Sequence, residues 1–453
     1  MKLVASNKIQ ITDYTPNQLE KIKSTLTLAN PMYWKLKNMG KFVNHIPKEF
    51  KYYEQESLDA PLFVPRGMLS RLIKFSPESL INTSFISLST SVLAHHNSLL
   101  EFRDYQADIV AKWRETKPTE GVFDLSTGSG KTLLALQIIK ELGLTATILV
   151  PTNIILNQFI EESKKYFGYD LGVINGKEKN IKEITVASIA SLFNNPELLK
   201  ELVSNTSVLF VDECQGAVSD KRVEVIEQFN PSYIYGLSGT PTREDGQTQA
   251  IHFYFGNTIE KYEAVMIKPT VEIINSETFL PVMVNYAEMQ DKMIENKSRN
   301  ILIAGLAMGE MLEGRKVLVL TKRIEHYQTI RQMLPKGDGI IAANSTDIML
   351  AERLEALREN KMDFQCILGT FSLLGTGFNI EKLDTLIIAA DLKSQVLTTQ
   401  SAGRVLRLLK DKTAKIIDIF DSQNGIFRTQ GYARQKLYRS KGWPMINKWG
   451  EVK

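Results

Sequence analysis

From about position 121 onward, short β-branched apolar runs alternate with longer amphipathic stretches. The alternation predicts parallel strands joined by helices, because a strand covered on both faces is apolar throughout while a covering helix is apolar on one side only. Residues 122–125, 147–150, 184–187, 208–211 and 233–237 read as strands, with helices over 132–142 and 154–166. Together they predict a doubly wound α/β domain over 99–257. A polar, irregular stretch, 258–297, reads as a linker. The pattern then returns over 298–425, with a helix at 300–313 and strands at 316–320, 340–342, 366–369, 385–389 and 416–419. The predicted fold class is therefore α/β: two tandem doubly wound parallel-sheet domains, preceded by a small α+β domain over 1–98 and followed by a basic C-terminal tail over 426–453.

The first hundred residues have a different texture. Pro31, Pro47, Pro61, Pro65 and Pro77 interrupt them, and aromatics stand beside lysines in Tyr33-Trp34-Lys35 and Phe50-Lys51-Tyr52-Tyr53. Aromatic and basic interleaving suits a nucleic-acid surface, and equally an ordinary core with a lysine rim.

Charge sharpens this contrast. The net charge is only +4, but residues 1–100 carry twelve Lys/Arg against seven Asp/Glu and residues 431–453 carry six against one, so both ends are basic and the centre is acidic. Basic ends suit phosphate backbones, although lysine-rich faces are often merely solvated. At 453 residues the chain is long enough for two to four domains, and 43% hydrophobic with 23% charged residues is the composition of an ordinary globular protein. The apolar runs are strand-length, far short of the roughly 20 residues a membrane crossing needs. No span and no membrane partner are expected, and the residues after Met1 lack an apolar secretory core, so a cytoplasmic protein is expected. Cys214 and Cys366 lack metal-ligand spacing and read as small buried hydrophobes.

The strongest chemical signal is Ser126-Thr127-Gly128-Ser129-Gly130-Lys131-Thr132, which follows a predicted strand and opens a predicted helix. Glycines let backbone N–H groups close around an anion, and the helix N-terminus adds partial positive charge. Thr127, Gly128, Ser129, Gly130, Lys131 and Thr132 are thus expected to bind a nucleotide. Lys131 would reach the β and γ phosphates, and the Thr132 hydroxyl would ligate Mg2+. Leu125 stands where the full pattern wants a glycine, so the match lies in the second half.

A second signal lies 81 residues beyond Lys131: the apolar run 208–211 ends in Asp212-Glu213. At the C-terminal end of a parallel strand these carboxylates would face the phosphate loop. Asp212 would hold Mg2+, and Glu213 would orient and deprotonate the attacking water.

With these two elements in place, the chain resembles a superfamily 2 helicase or translocase, built on two RecA-like lobes. Leu237-Ser238-Gly239-Thr240-Pro241 is similar to the family's motif III, which implies that Ser238, Gly239 and Thr240 couple hydrolysis to movement. Arg103-Asp104-Tyr105-Gln106 resembles the upstream adenine-reading motif, implying nucleotide contacts from Arg103, Tyr105 and Gln106, with Gln106 on the base edge. Pro151, Thr152 and Ser188 fall where the family contacts the tracking strand, and Lys322 and Thr370 are their counterparts in the second lobe. Residues 370–380 resemble motif V, and Gln400-Ser401-Ala402-Gly403-Arg404-Val405-Leu406-Arg407 closely matches motif VI. Arg404 and Arg407 sit three apart, on one face of a helix, where both guanidinium groups could point at the γ-phosphate while Gln400 couples. Gln215 replaces a frequent histidine and Asn379 a frequent aspartate, but Gln215 can still hydrogen-bond motif III or VI.

Within the superfamily the chain is most similar to the small bacteriophage branch-migration helicases of the UvsW type, with Val64-Pro65-Arg66-Gly67-Met68-Leu69 resembling their duplex-binding module. The resemblance implies ATP and Mg2+ as cofactors, branched or forked DNA as partner, and a monomeric motor. A restriction-type duplex translocase, an RNA helicase and a catalytically silent nucleic-acid-binding protein are the alternatives.

Overall fold

The computed structural model describes the chain except residues 58, 86–87, 127, 219, 240–242, 244, 264–267, 280–284, 338, 344–352, 354–355, 358–360, 372–379, 381, 392–397, 399–412, 448–449 and 452–453. The chain divides into two compact units, Met1–Ala264 and Val265–Lys453.

The first unit begins with β1 (Lys2–Ala5), β2 (Lys8–Thr12), α1 (Pro16–Thr25), β3 (Thr27–Ala29), α2 (Pro31–Asn38), β4 (Glu49–Lys51), β5 (Leu62–Pro65), α3 (Leu69–Phe75) and β6 (Leu80–Thr83). Strands β5-β2-β1-β6 form one mixed sheet, and β3 pairs with β4 in a separate hairpin. Residues alternate inward and outward along β1 and β2, so Leu3, Ala5, Ile9 and Ile11 are fully buried on one face. Helix α1 starts where Thr15 and Gln18 exchange side-chain and backbone hydrogen bonds, with Pro16 at its first position.

The parallel sheet of this unit is made from α4 (Asp104–Thr116), β7 (Glu120–Leu125), α5 (Lys131–Leu142), β8 (Ala146–Val150), α6 (Asn153–Phe167), β9 (Gly172–Ile174), β10 (Lys179–Asn180), β11 (Ile184–Ser188), α7 (Ile189–Phe193), α8 (Pro196–Ser204), β12 (Val208–Asp212), α9 (Cys214–Ala217), α10 (Asp220–Ile226), β13 (Tyr233–Ser238), α11 (Thr248–Phe255) and β14 (Thr258–Tyr262). The strand order is β10-β9-β11-β8-β12-β13-β7-β14, parallel except for β10 against β9. Every residue of β8, β11 and β12 is buried, and separate apolar clusters cover the two faces of the sheet.

Three expectations about boundaries need correction. The N-terminal 98 residues do not carry a core of their own: Leu3, Ile9, Leu62, Val64 and Met68 belong to one apolar cluster with Val211, Phe253 and Phe255. The junction is tight. Arg66, 3% exposed, donates to the carbonyls of Pro231 and Ser232, and a Cβ on Gly67 would lie 2.2 Å from the Gly256 nitrogen. The stretch read as a linker holds β14, paired with β7, and then a strand of the second sheet. Polar and charged residues are mixed with apolar ones in both strands, which hid them in an average over the segment.

That second unit comprises β15 (Thr270–Asn275), α12 (Tyr286–Glu295), α13 (Lys297–Leu312), β16 (Val317–Thr321), α14 (Ile324–Met333), β17 (Ile340–Ala343), β18 (Cys366–Thr370), β19 (Thr385–Ile388), β20 (Lys415–Phe420), α15 (Gly425–Ser440), β21 (Met445–Asn447) and β22 (Gly450–Glu451). Its order is β17-β18-β16-β19-β20-β15-β21-β22, parallel except for the last pair. The supposed basic tail is therefore structural. Arg434 on α15 is buried and forms a two-pronged pair with Asp418, whose second oxygen also accepts from the Tyr438 hydroxyl. A second buried pair, Arg299 with Asp421, ties α13 to the end of β20. The buried Arg434 counted as a solvated charge in the reading of this segment as a tail. Cys214 and Cys366 are buried, free thiols.

Candidate nucleotide site and nucleic-acid edge

The expected site residues of the first unit gather along the C-terminal edge of its sheet, where open α/β sheets bind ligands. Strand β7 ends in Leu125, 1% exposed, so the position lacking the expected glycine belongs to the strand core, and the loop proper begins at Ser126. Gly128 (φ 82°) and Gly130 (φ 84°) then adopt the left-handed conformation, and α5 opens at Lys131. Lys131 reaches back to the Leu125 carbonyl at 3.4 Å, and the Thr132 hydroxyl accepts from Gln158 Nε2 at 3.1 Å. Gln158 had no signal in the sequence, because one amide on an amphipathic helix looks like any other.

Asp212 closes β12 one strand away from the phosphate loop's own strand, with β13 between them. Its carboxyl is pushed up to about 6 by burial first and by the Glu213 charge second, while Lys131 and the Glu213 amide pull the other way. A hydroxyl from Thr132 and a buried carboxylate that lacks a full countercharge are hard oxygen donors of the type Mg2+ takes, so the residues fit this ion.

Glu213 itself sits at φ 49°, ψ 47°, a left-handed conformation that costs a non-glycine residue on the order of 1 kcal/mol. The turn lifts its carboxylate off the strand axis, where Gln215 Nε2 donates to it. The Gln215 carbonyl oxygen in turn accepts from the Ser238 hydroxyl at 2.7 Å. The substitution of glutamine for histidine thus preserves a path from the second motif to the third. Arg243, which the sequence reading missed, holds that turn by donating to the main-chain carbonyls of Gln215 and Val218, and it pairs with Asp245.

Gln106 departs from its expected use. Its Oε1 accepts from the Arg103 amide at 3.0 Å and its Nε2 donates to the Ser129 carbonyl at 2.8 Å, in a side chain 7% exposed. The glutamine is a clamp on the phosphate loop, with a single N–H and lone pair left for a base. Tyr105 donates to the same carbonyl at 3.0 Å, and its ring lies parallel to Tyr262 at 3.9 Å. Tyr262 closes β14, the strand concealed in the supposed linker. Arg103 is exposed ahead of α4.

The other half of the same edge carries the residues expected to touch nucleic acid. Ser188 pairs with Val150, so Ser188, Pro151 and Thr152 are neighbours at the ends of β11 and β8. In the second unit, Thr370 pairs with Thr321, and Lys322 follows it, 5.0 Å from the Tyr286 ring centre. Gly239 follows β13 directly. Thr127, Thr240, Asn379, Gln400, Arg404 and Arg407 lie outside the described residues.

Comparison with known proteins agrees with this geometry. Residues 99–243 match the family described as type III restriction enzyme, res subunit. "Probable helicase D10" of Escherichia phage T5 is 27% identical over 331 residues, 70% of this chain and 71% of the relative. The ATP-dependent DNA helicase uvsW of Enterobacteria phage T4 is 23% identical over 394 residues, 75% of this chain and 77% of the relative. Among solved structures, a fragment of an HsdR subunit of a type I restriction enzyme from Vibrio vulnificus YJ016 is similar in fold, with TM-score 0.56 and 20% identity over 89% of this chain and 79% of that one. The family match and the helicase-named relatives support an ATP-dependent helicase of superfamily 2, and the two parallel-sheet units agree with that. Within that superfamily it resembles the UvsW type.

Proposed function

We propose that this helicase remodels branched DNA, migrating or unwinding forks and four-way junctions as a monomer. The observation that carries the reading is the division of one sheet edge. The phosphate loop and Asp212-Glu213 occupy the ends of β7 and β12, and the polar residues Thr152 and Ser188 occupy the ends of β8 and β11. A motor needs this adjacency, since a change at the γ-phosphate must be felt at the tracking strand.

In this reading the loop from Ser126 to Gly130 receives the phosphates of ATP, and Lys131 neutralises the β and γ groups. Mg2+, held by Thr132 and Asp212, supplies charge neutralisation of the phosphates when bound. Glu213 orients a water against the γ-phosphorus and accepts its proton as the bond to ADP breaks. Gln215 reports that event to Ser238. On sequence grounds Arg404 and Arg407 are assigned to the γ-phosphate and Gln400 to coupling, with Lys322 and Thr370 gripping the strand in the second lobe.

ATPase activity of the wild type and of Lys131→Ala, measured with single-stranded DNA, duplex, a four-way junction and duplex RNA, tests the proposal. Stimulation greatest with the junction, and abolished by Lys131→Ala, is expected. Undiminished hydrolysis by the variant would refute the site, and equal stimulation by linear duplex would refute branch preference. One second reading has a specific observation in its favour, the restriction-subunit match over 99–243. A duplex translocase of that kind would hydrolyse ATP on linear duplex and displace no strand.

A further inference from the structure

Between β3 and β4 the chain makes an excursion of about twenty residues, most of whose side chains face outward. Helix α2 buries none of its side chains. Met32 is 63% exposed, Met39 58%, Phe42 71% and Trp34 39%, so the cluster around Tyr33-Trp34-Lys35 is no core with a lysine rim, whereas Tyr52 and Tyr53 pack on the apolar cluster of the first unit. Exposed large apolar side chains gathered in one segment mark an interaction surface. The excursion is nonetheless fixed in place. Asn30 accepts from the amides of Met32 and Tyr33, its Nδ2 donates to the Pro47 carbonyl at 2.8 Å, and Thr27 to Ala29 pair with Glu49 to Lys51 below it.

Its charge identifies the partner. From Pro31 to Lys51 there are five lysines, Lys35, Lys37, Lys41, Lys48 and Lys51, against the single acid Glu49. Two of them lie against the Trp34 ring, Lys37 at 5.2 Å and Lys48 at 5.5 Å from its centre, while Tyr33 meets it edge-on and Phe42 stacks on His45. Flat rings ringed by ammonium groups present what a strand with unpaired bases needs, a face for each base and a cation for each phosphate. The competition at the ring is settled by magnitude: an exposed cation–π contact is worth about 0.5–1 kcal/mol, a stacked base about 1–3. A base can therefore displace a lysine from the Trp34 face and leave the ammonium free to meet the adjoining phosphate.

We infer that the α2 excursion, through Trp34 and Phe42 with their surrounding lysines, is a stacking platform for single-stranded nucleic acid. The inference rests on the helicase reading for its partner, yet the two can fail separately. Nucleotide-free binding is compared for a fifteen-residue oligothymidylate and an abasic strand with the same number of phosphates. The wild type should prefer the oligothymidylate, with quenching of tryptophan fluorescence that Trp34→Leu removes. The pair Trp34→Ala and Phe42→Ala should erase that preference, lowering oligothymidylate affinity about 10- to 100-fold while leaving the abasic strand unaffected, and Trp34→Tyr should restore most of it. Substitution here should leave the melting temperature unchanged, because α2 buries nothing.

A preference that survives in the double variant, or duplex bound as tightly as single strand, would overturn the platform even with the ATPase intact. Capture of phosphatidylserine vesicles, lost in the same variant and with no response to oligothymidylate, would instead reassign the patch to a lipid surface. Failure of Lys131→Ala to affect hydrolysis would sink the motor reading and leave these binding measurements standing.

Discussion

Replacing Gln106 separates two accounts of how the first motif serves the nucleotide. The side chain is 7% exposed and makes two hydrogen bonds, from the Arg103 amide at 3.0 Å and to the Ser129 carbonyl at 2.8 Å. Gln106→Ala removes both. Loss of the first frees an amide at the start of α4, a capping contact worth about 1 kcal/mol. Loss of the second releases the phosphate loop, again about 1 kcal/mol, although Ser129 keeps the Tyr105 hydroxyl. Only the second term acts on nucleotide binding directly, so KM for ATP should rise about 5- to 10-fold with kcat little changed. Gln106→Glu isolates it further, since a carboxylate still accepts from the Arg103 amide but repels the Ser129 carbonyl. Steady-state ATPase and GTPase assays on both variants decide the matter. A clamp raises KM for the two nucleotides by the same factor, whereas a base reader raises it for ATP alone and erodes the preference between them. An unchanged KM in Gln106→Ala would refute the clamp.

Other consequences are equally direct. Glu213→Gly should abolish hydrolysis while leaving the melting temperature unchanged or slightly raised, because glycine takes φ 49° without strain; a marked fall in melting temperature would contradict this. Gly67→Ala places a methyl group 2.2 Å from the Gly256 nitrogen, among main-chain atoms that cannot rotate away. It should cost about 1–3 kcal/mol or more and expose the junction after Pro65 to limited proteolysis, and resistance equal to wild type would contradict the shared core. His326 is held neutral, pushed down to about 3 by burial first and by the Arg299 charge second. With a folded value below the ordinary 6.5, its stabilising contribution is complete above that pH and is lost as pH falls toward 3. Between pH 7.5 and 5.0 the second unit should lose about 2 kcal/mol, read as faster intrinsic-rate-corrected hydrogen exchange in α13, and His326→Gln should flatten the dependence.

The sequence made the central strands of both sheets legible because they are parallel and buried, so most of them are short apolar runs. Strands at the margins of those sheets were not legible. In β14 and β15 polar or charged residues interrupt the apolar ones, and both were read as linker, although β14 supplies Tyr262 beside Tyr105. The basic tail was misread for a related reason: Arg434 counts as a solvated charge in any composition average, and only the pairing with Asp418 across 16 residues reveals it as core. Asp212, Glu213 and Lys131 stood out in the sequence because each lies in a short pattern at a predicted strand end or helix start. Gln158 and Arg243 were not, since their roles depend on partners brought near by the fold, at separations of 26 and 28 residues.

The same contacts bear on how the N-terminal segment and the Glu213 turn belong together. Pro31, at the start of α2, packs on Gly246, and the Tyr52 hydroxyl donates to Gln247. Gln247 donates to Asp245 at 3.1 Å, Asp245 pairs with Arg243, and Arg243 holds the carbonyl of Gln215, whose side chain donates to Glu213. Each link is a hydrogen bond, an ion pair or a close packing contact, and Arg66 and Gly67 brace the same region from the other side. These contacts connect the start of α2 with the turn that carries Glu213 inside one compact unit. The N-terminal segment is therefore packed into the same unit as the candidate nucleotide site, with which it shares an apolar cluster.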